Sequence, residues 1–295
     1  MLNLAQIFLF LMQINTSPPV IIGGVGGSGT RLVASLLLKL GYWLGSDLNE
    51  SLDNLWFTLL FKRLDILDCT SHDFEQAVSI FIKRMSGNPD LSSYEVSWIQ
   101  SLASADREQH NSIWLKARAD SLFTFTRQTD MPQNWGWKEP NSHIILDRLN
   151  HHIMNLRYIH VMRNGFDMAF SNNQNQLKLW GPTFLGDDFG LTPAHSLKFW
   201  CLVHRRIDLI GRQMGDRFLM VNYDDLCKNP TNQIKQLIRF LNPYSYDEES
   251  LLPLLNLIRP LSHQRPFHSH AIDIFDPEDV FYVKSLGFHT RLPSI

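Results

Sequence analysis

A glycine-rich segment between a short apolar run and an amphipathic stretch constrains most strongly what this chain folds into. The apolar run, 19–23 (PVIIG), is typical of a buried strand, and 30–40 has the spacing of a helix that ends at Gly41. The segment between them, 24–31, reads GVGGSGTR. Glycines let backbone N–H groups approach an anion, and the start of the next helix carries partial positive charge. The sequence therefore predicts a phosphate-binding loop between a strand and a helix.

Two phosphate-loop motifs compete for this segment. The GxGxxG spacing of dinucleotide-binding folds is matched by Gly24, Gly26 and Gly29. Asp47 and Glu50 follow Gly29 by 18 and 21 residues, where a ribose-binding acid of an NAD-type oxidoreductase would lie. The Walker A glycine spacing also fits, but Thr30 and Arg31 replace its Lys-Ser/Thr pair. A cation in the first turn opposes the helix dipole and costs roughly 0.3–1 kcal/mol, and an anion bound at that end would reverse this cost. Arg31 therefore favours an anion site over a solvated glycine turn.

Short apolar runs alternate with helical stretches along the rest of the chain. Strands are predicted at 135–138, 156–162 and 218–222, and helices at 113–127, 193–213, 231–241 and from Pro277 to about Gly287. This alternation predicts an α/β fold with a mostly parallel sheet flanked by helices. With 44% hydrophobic and 19% charged residues among 295, we expect one globular domain over 18–295.

Charge and cysteine usage exclude several classes of partner. The net charge is -2, so the chain has no general basic field for a nucleic acid or an acidic membrane. The three cysteines lack a CxxC pair, which argues against disulfides and zinc and favours a cytoplasmic location. The apolar stretch 4–14 is shorter than the ~20 residues of a membrane helix. We expect an N-terminal extension over 1–17, with an uncleaved anchor as the less favoured alternative.

Polar residues follow three more predicted strands, and ligands of parallel sheets bind at such strand ends. In 136–142 (GWKEPNS) a proline biases the residue before it toward extended geometry, which places Lys138 at a strand end. The alternative is a surface lysine beside two tryptophans. Arg163 leaves the next strand, and Ser171 lies eight residues on, ahead of a run of amides. The last strand ends in 221–226 (VNYDDL), which by itself is typical of an ordinary turn and cap.

These motifs, in this order, resemble the sulfotransferases that use 3′-phosphoadenosine-5′-phosphosulfate (PAPS), from Val20 to about Leu241. The glycine loop resembles that family's 5′-phosphosulfate loop, and Arg163 with Ser171 resembles its 3′-phosphate pair. The resemblance implies a P-loop-type three-layer α/β fold. It also implies a set of nucleotide-binding residues, namely Gly26, Gly27, Ser28, Gly29, Thr30, Arg31, Arg163, Ser171 and Tyr223.

The resemblance further implies transfer of a sulfonate from PAPS to an acceptor hydroxyl or amine, with adenosine 3′,5′-bisphosphate as product and no metal. The implied catalytic residues are Glu50, Asp47, Lys138 and Arg31. Glu50 is favoured as the base, then Asp47, then His143, against the alternative of solvated acids or helix caps. The acceptor, whether small molecule, sugar or peptide, stays open.

One departure from the family pattern bears on turnover. The family usually carries a lysine or arginine where Gly27 stands, and Arg31, one helical turn on, is the candidate substitute. A nucleotide-binding module without turnover is therefore kept as one alternative, and the GxGxxG spacing keeps an NAD-type oxidoreductase as the other.

Two further segments carry weaker signals. His263, His268 and His270 indicate a basic rim rather than a metal site, since no ligand spacing completes them. Trp180, Phe184 and Phe189 are predicted in a loop that walls an acceptor pocket, or else as packing aromatics.

Overall fold

The structure is a computed structural model that describes residues 17–126, 133–241, 251–259 and 269–289, the last range without the side chains of 269–271. Its strands are β1 (Val20–Gly23), β2 (Gly136–Lys138), β3 (Arg157–Met162) and β4 (Phe218–Asn222). Its helices are α1 (Thr30–Lys39), α2 (Leu55–Phe61), α3 (Ser71–Met85), α4 (Ser93–Ala103), α5 (Ser112–Phe123), α6 (Leu146–His152), α7 (Gly165–Ala169), α8 (Asn175–Leu185), α9 (Pro193–Met214), α10 (Tyr223–Lys228), α11 (Pro230–Leu241), α12 (Leu251–Leu255) and α13 (Pro277–Ser285).

The described residues contain four strands, which form a parallel sheet in the order β2-β1-β3-β4. The predicted α/β fold with a mostly parallel sheet is thus confirmed. The chain also divides into two compact units. Unit 1 comprises the residues up to 22 together with 37–157, and unit 2 comprises 23–36 together with the residues from 158 onward.

In unit 1, β1 and β2 pair in parallel, with Val20 opposite Gly136 and Ile22 opposite Lys138. All seven residues of α2 are buried, because the helix packs into an aromatic core. Phe57 lies in that core with ring centroids 4.6 Å from Phe61 and 5.9 Å from Trp137. Burial of large aromatic side chains on this scale stabilises unit 1.

In unit 2, β3 and β4 pair in parallel from Tyr158 opposite Phe218 to Met162 opposite Asn222. The long helix α9 begins at Pro193, and the side chain of the N-cap residue Thr192 accepts a hydrogen bond from the His195 backbone N–H. Proline at its first position and an N-cap threonine explain why the sequence located this start correctly.

Several predicted boundaries differ from the observed ones. The strand at 218–222 matches β4, whereas the three other predicted strands are each one residue too long at the start. Helix α5 ends at Phe123 rather than 127, where the Thr124 hydroxyl donates to the Asp120 carbonyl. Helices α2 and α4 were not predicted. In α2 all seven residues are buried and six of them are apolar, so its sequence shows no helical period.

The predicted loop around the three aromatic residues near 180 is wrong for two of them. Trp180 and Phe184 lie within α8, Trp180 is buried, and the Phe184 ring centroid lies 5.3 Å from that of Phe199. Phe189 lies after the end of α8, and its ring packs against Gly181. All three residues make packing contacts, and their role as a wall of an acceptor pocket stays a prediction.

Some predictions lie outside the described residues or remain untested. The extension over 1–17 falls almost entirely outside them, as do His263, His268 and the side chain of His270. The single domain over 18–295 also stays a prediction. None of the helices described combines the length and the hydropathy that a membrane span needs.

Candidate functional site

The glycine loop of unit 2 joins the end of β1 to α1. Gly27 and Gly29 have φ of +91° and +100°, in the region that favours glycine, so the loop turns tightly where side chains would be strained. Ser28 is 1% exposed, and no group in the described part of the chain hydrogen-bonds to its Oγ. Since buried hydroxyls are rarely left without a partner, this one marks a place where a ligand oxygen would fit.

Arg163 and Ser171 lie against this loop. Arg163 Nη1 donates to the Gly27 carbonyl at 3.4 Å, a long hydrogen bond, while its buried Nε has no partner within the described residues. A Cβ placed on Gly27 would lie 3.9 Å from Ser171 Oγ. The two segments predicted to bind anions therefore meet at Gly27, although they are far apart in sequence.

Tyr223 forms the other side of the loop. Its ring packs on Gly29 so closely that a Cβ there would lie 2.1 Å from Tyr223 Cδ2. The Arg163 guanidinium carbon lies 5.3 Å from the centroid of the same ring. Burial raises the pKa of Tyr223, with the nearby Cys227 thiol adding to the effect, so the phenol stays protonated and can donate a hydrogen bond.

Sequence reasoning missed two residues that hold this site together. Gln176 is buried and its Nε2 donates to the Gly24 carbonyl at 3.1 Å, which orients the first peptide of the loop. Asp224 is also buried, and its Oδ2 accepts from the Asn164 N–H at 2.9 Å, directly after Arg163. The sequence showed the run of amides that contains Gln176 and the acidic turn that contains Asp224. It did not show which backbone groups these two side chains bind.

Lys138 lies in unit 1 and is buried, so the alternative of a surface lysine is wrong. Its Nζ donates to the Ser51 carbonyl at 3.0 Å and to the Asp53 carboxylate. Asp53 was not predicted. Burying an ammonium is costly unless a carboxylate pairs with it, so Asp53 fixes the position of Lys138.

The acids proposed as base differ in their surroundings. Asp47 accepts a hydrogen bond from Arg118 Nη1 at 2.7 Å and another from the Ser121 hydroxyl, so its carboxylate is already committed within unit 1. Glu50 is exposed, and His143 is fully buried. Of these three, Glu50 alone combines solvent access with a carboxylate that makes no ion pair to another described residue.

The remaining predicted site residues lie in the glycine loop and at the start of α1. Thr30 is buried at the start of α1, Gly26 lies near the Asn173 and Gln176 side chains, and Arg31 is exposed in the first turn. Helix α1 has no acid in that turn, so nothing there offsets the charge of Arg31. Among the described residues, no group of His, Cys, Asp and Glu side chains could hold a metal ion.

Comparison with solved structures returns sulfotransferases. One from Mycobacterium avium is 14% identical, covers 99% of this chain and 83% of its own, and has a TM-score of 0.48. The sulfotransferase domain of the Synechococcus PCC 7002 olefin synthase is 17% identical, with 94% and 97% covered and a TM-score of 0.46. A third, from Mycobacterium tuberculosis H37Rv, is 13% identical, with 85% and 74% covered and a TM-score of 0.43.

No curated protein matches the chain significantly. Because the three TM-scores are below 0.5, the assignment of this protein rests on its match to a family model. That model, described as the sulfotransferase family, matches residues 18–246, which is most of the chain. The matched range includes the glycine loop, Lys138, Arg163 with Ser171, and Tyr223. The chain therefore belongs to the sulfotransferase family.

Proposed function

We propose that this protein transfers a sulfonate from PAPS to a hydroxyl or amine of a small-molecule, sugar or peptide acceptor. The observation that carries the proposal is the meeting of two anion-binding segments at Gly27, where Arg163 and Ser171 lie against the glycine loop. A dinucleotide fold needs the loop alone. A donor with phosphates at both the 5′ and the 3′ position needs both segments.

The groups of unit 2 fit such a ligand. Ser28 Oγ and Arg163 Nε are buried without partners in the described chain, and phosphate oxygens would satisfy both. A guanidinium can donate two parallel hydrogen bonds to a terminal phosphate, so Arg163 suits the 3′ group, with Ser171 and Tyr223 beside it. The backbone N–H groups of Gly26, Gly27, Gly29 and Thr30 and the charge of Arg31 suit the 5′ side, whereas the Ser28 N–H already donates to the Val25 carbonyl. Bound there, PAPS supplies an activated sulfonate whose leaving group is adenosine 3′,5′-bisphosphate.

Two groups of unit 1 are proposed for the chemistry. The acceptor proton has to leave as its oxygen attacks, and we assign that proton to Glu50, with Asp47 second because Arg118 and Ser121 already hold its carboxylate. We assign Lys138 to stabilising charge that develops during transfer, since Asp53 and Ser51 fix its ammonium.

The proposed function requires neither a metal ion, nor nucleic acid, nor a stable membrane anchor. Backbone N–H groups and arginines provide the positive potential that the leaving phosphate needs, so we propose turnover without a metal ion. We also propose that the protein is cytoplasmic and acts without nucleic acid or a stable membrane anchor. The three unpaired cysteines and the net charge of -2 support this.

Ligand-induced thermal stabilisation tests the nucleotide assignment. A ligand at 100 times its Kd adds about 2.7 kcal/mol to the free energy of unfolding, which raises Tm by a few degrees. We expect adenosine 3′,5′-bisphosphate to raise Tm in this way and NAD or ATP to do much less. Stabilisation by NAD but not by the bisphosphate would favour the oxidoreductase alternative and end this proposal.

A kinetic comparison separates an enzyme from a binding module without turnover. We expect Glu50→Gln and Lys138→Ala to lower sulfonate transfer by roughly 100-fold or more and to leave bisphosphate affinity nearly unchanged, because both act on charge present only in the transition state. Slow hydrolysis of PAPS serves as the assay until an acceptor is known. Lys39→Ala, on an exposed lysine of α1, is the control. A wild-type protein that binds the bisphosphate yet hydrolyses no donor would establish the binding-module alternative.

A further inference from the structure

The run of amides at 172–176 (NNQNQ) leads into α8 and packs on the glycine loop of unit 2. Gln176 holds the Gly24 carbonyl, and Asn173 lies against the next part of the loop. A Cβ placed on Gly26 would lie 3.6 Å from Asn173 Nδ2 and 3.8 Å from Asn173 Oδ1. We infer that Asn173 binds the donor nucleotide, with its side-chain amide donating a hydrogen bond to an oxygen of the 5′-phosphate. This inference rests on the proposed function and adds a specificity-determining residue to it.

The amide of Asn173 is available to a ligand. Its Oδ1 accepts a long hydrogen bond of 3.4 Å from the Asn175 N–H, whereas its Nδ2 donates to no group in the described part of the chain. Because the Asn175 N–H is a donor, it fixes which end of the amide carries the oxygen, and the NH₂ end keeps two donors. The residue is exposed. The cavity that Asn173 and Gly26 line has a volume of only about 10 Å³, room for about one water molecule, so a ligand meets the amide from its exposed side.

Neighbouring hydrogen bonds hold the backbone of Asn173 in place. Its N–H donates to Ser171 Oγ at 3.2 Å, which leaves the Ser171 hydroxyl hydrogen for a ligand. Gln174 Nε2 donates to the Ser171 carbonyl at 2.7 Å, and Gln174 Oε1 accepts from Ser196 Oγ at 2.8 Å, which ties the run of amides to α9. A side chain on a segment fixed in this way loses less conformational freedom when it binds a ligand.

The 5′ side of the proposed site needs a donor from outside the glycine loop. Gly27 carries no side chain, the Ser28 N–H already donates to the Val25 carbonyl, and Arg31 is exposed in the first turn of α1. Hydrogen bonds to an ionised acceptor are stronger than those between neutral groups, so one amide N–H on a phosphate oxygen adds appreciable affinity. Asn173 provides that N–H beside Gly26.

Titration calorimetry of the full chain with two nucleotides tests the inference without requiring turnover. Adenosine 3′,5′-bisphosphate carries the 5′-phosphate, and adenosine 3′-phosphate lacks it. We expect Asn173→Ala to weaken the bisphosphate about tenfold, the loss of one hydrogen bond to a charged group, and to leave adenosine 3′-phosphate unchanged. Asn173→Asp puts a negative charge of nearly the same shape beside the loop and should weaken the bisphosphate more than Asn173→Ala does.

The neighbouring amide gives matched controls. Asn172 is exposed in the same run, so Asn172→Ala and Asn172→Asp make the same two changes one residue away. Both should alter the bisphosphate affinity by less than about threefold, because an exposed charge away from the ligand is screened. The Tm of each unliganded variant, measured on the same samples, should equal that of wild type.

Each other result overturns the inference. Asn173 variants that bind the bisphosphate as tightly as the Asn172 variants would show that the amide makes no contact with the 5′-phosphate. An equal loss for both nucleotides in Asn173→Ala would show that Asn173 supports the segment of Ser171 instead. Wild-type protein that does not bind the bisphosphate at all would end the proposed function itself. Wild-type binding that Asn173→Ala leaves intact would end this inference alone.

Discussion

Replacing Arg163 with alanine should separate recognition of the 3′-phosphate from support of the fold. In the free protein, Arg163 makes a hydrogen bond of 3.4 Å to Gly27 and a cation–π contact of 5.3 Å with Tyr223. A bond this long contributes little, and such a contact contributes about 0.5–1 kcal/mol, so the unliganded variant should lose only about 1 kcal/mol of stability.

Binding should suffer more than folding. Hydrogen bonds to charged groups contribute about 1.5–3 kcal/mol each, and Arg163 is proposed to make two of them with the 3′-phosphate. Allowing for water that replaces the side chain, Arg163→Ala should weaken adenosine 3′,5′-bisphosphate by about 2–4 kcal/mol, or roughly 30-fold to nearly 1,000-fold in Kd. Ser171→Ala, which removes one neutral donor, should cost about 1 kcal/mol.

Titration calorimetry with two nucleotides gives the comparison. Adenosine 5′-phosphate lacks the 3′ group and should bind wild type and Arg163→Ala equally weakly. Arg212→Ala removes the same charge from an exposed position of α9, where Arg212 pairs with Asp208, and controls for the change in net charge of unit 2. An equal loss of affinity for both nucleotides in Arg163→Ala would show that Arg163 supports the loop, and the assignment of the 3′-phosphate site would be refuted.

Two further predictions concern stability. Gly29→Ala should destabilise the protein by about 1–3 kcal/mol and weaken bisphosphate binding, because the new Cβ collides with the Tyr223 ring. Gly186→Ala, at φ +81° in open space, has the backbone strain without the collision, and an equal loss in the two variants would contradict this reasoning. Burial lowers the pKa of His204 to about 4 from 6.5, so the unfolded chain takes up a proton first, and stability present above pH 6.5 is lost as the pH falls toward 4. The difference between these pKa values corresponds to about 3 kcal/mol, and urea unfolding at pH 7, 5.5 and 4.5 should show that His204→Phe is less acid-sensitive than wild type. An unchanged pH dependence would exclude His204 as the source.

Local signals in the sequence located most elements of the fold. Thr192 and Pro193 fixed the start of α9, and Asp276 and Pro277 fixed that of α13, because capping involves residues within one turn of each other. Helix α2 escaped detection since every residue in it is buried, which leaves no polar face to reveal a period.

The sequence also located the segments of the candidate site, but not the partners of their side chains. The acidic segment at 47–50 was identified, yet nothing in it showed that Asp47 pairs with Arg118, and Asp53, which holds Lys138, was not singled out. Each partner lies more than 70 residues away, and spacing carries no information about contacts at that separation.

The sequence by itself determined the glycine loop between β1 and α1, the arginine and serine eight residues apart after β3, and membership of the sulfotransferase family. A short stretch of residues specifies each of these features, because they depend on local backbone geometry and on the order of residues along the chain. Only the tertiary structure decided that Tyr223 packs on Gly29 and that Lys138 is buried. The physical reason is that close packing and the pairing of buried charges depend on which distant segments share a volume, and that is settled when the whole chain buries its apolar surface.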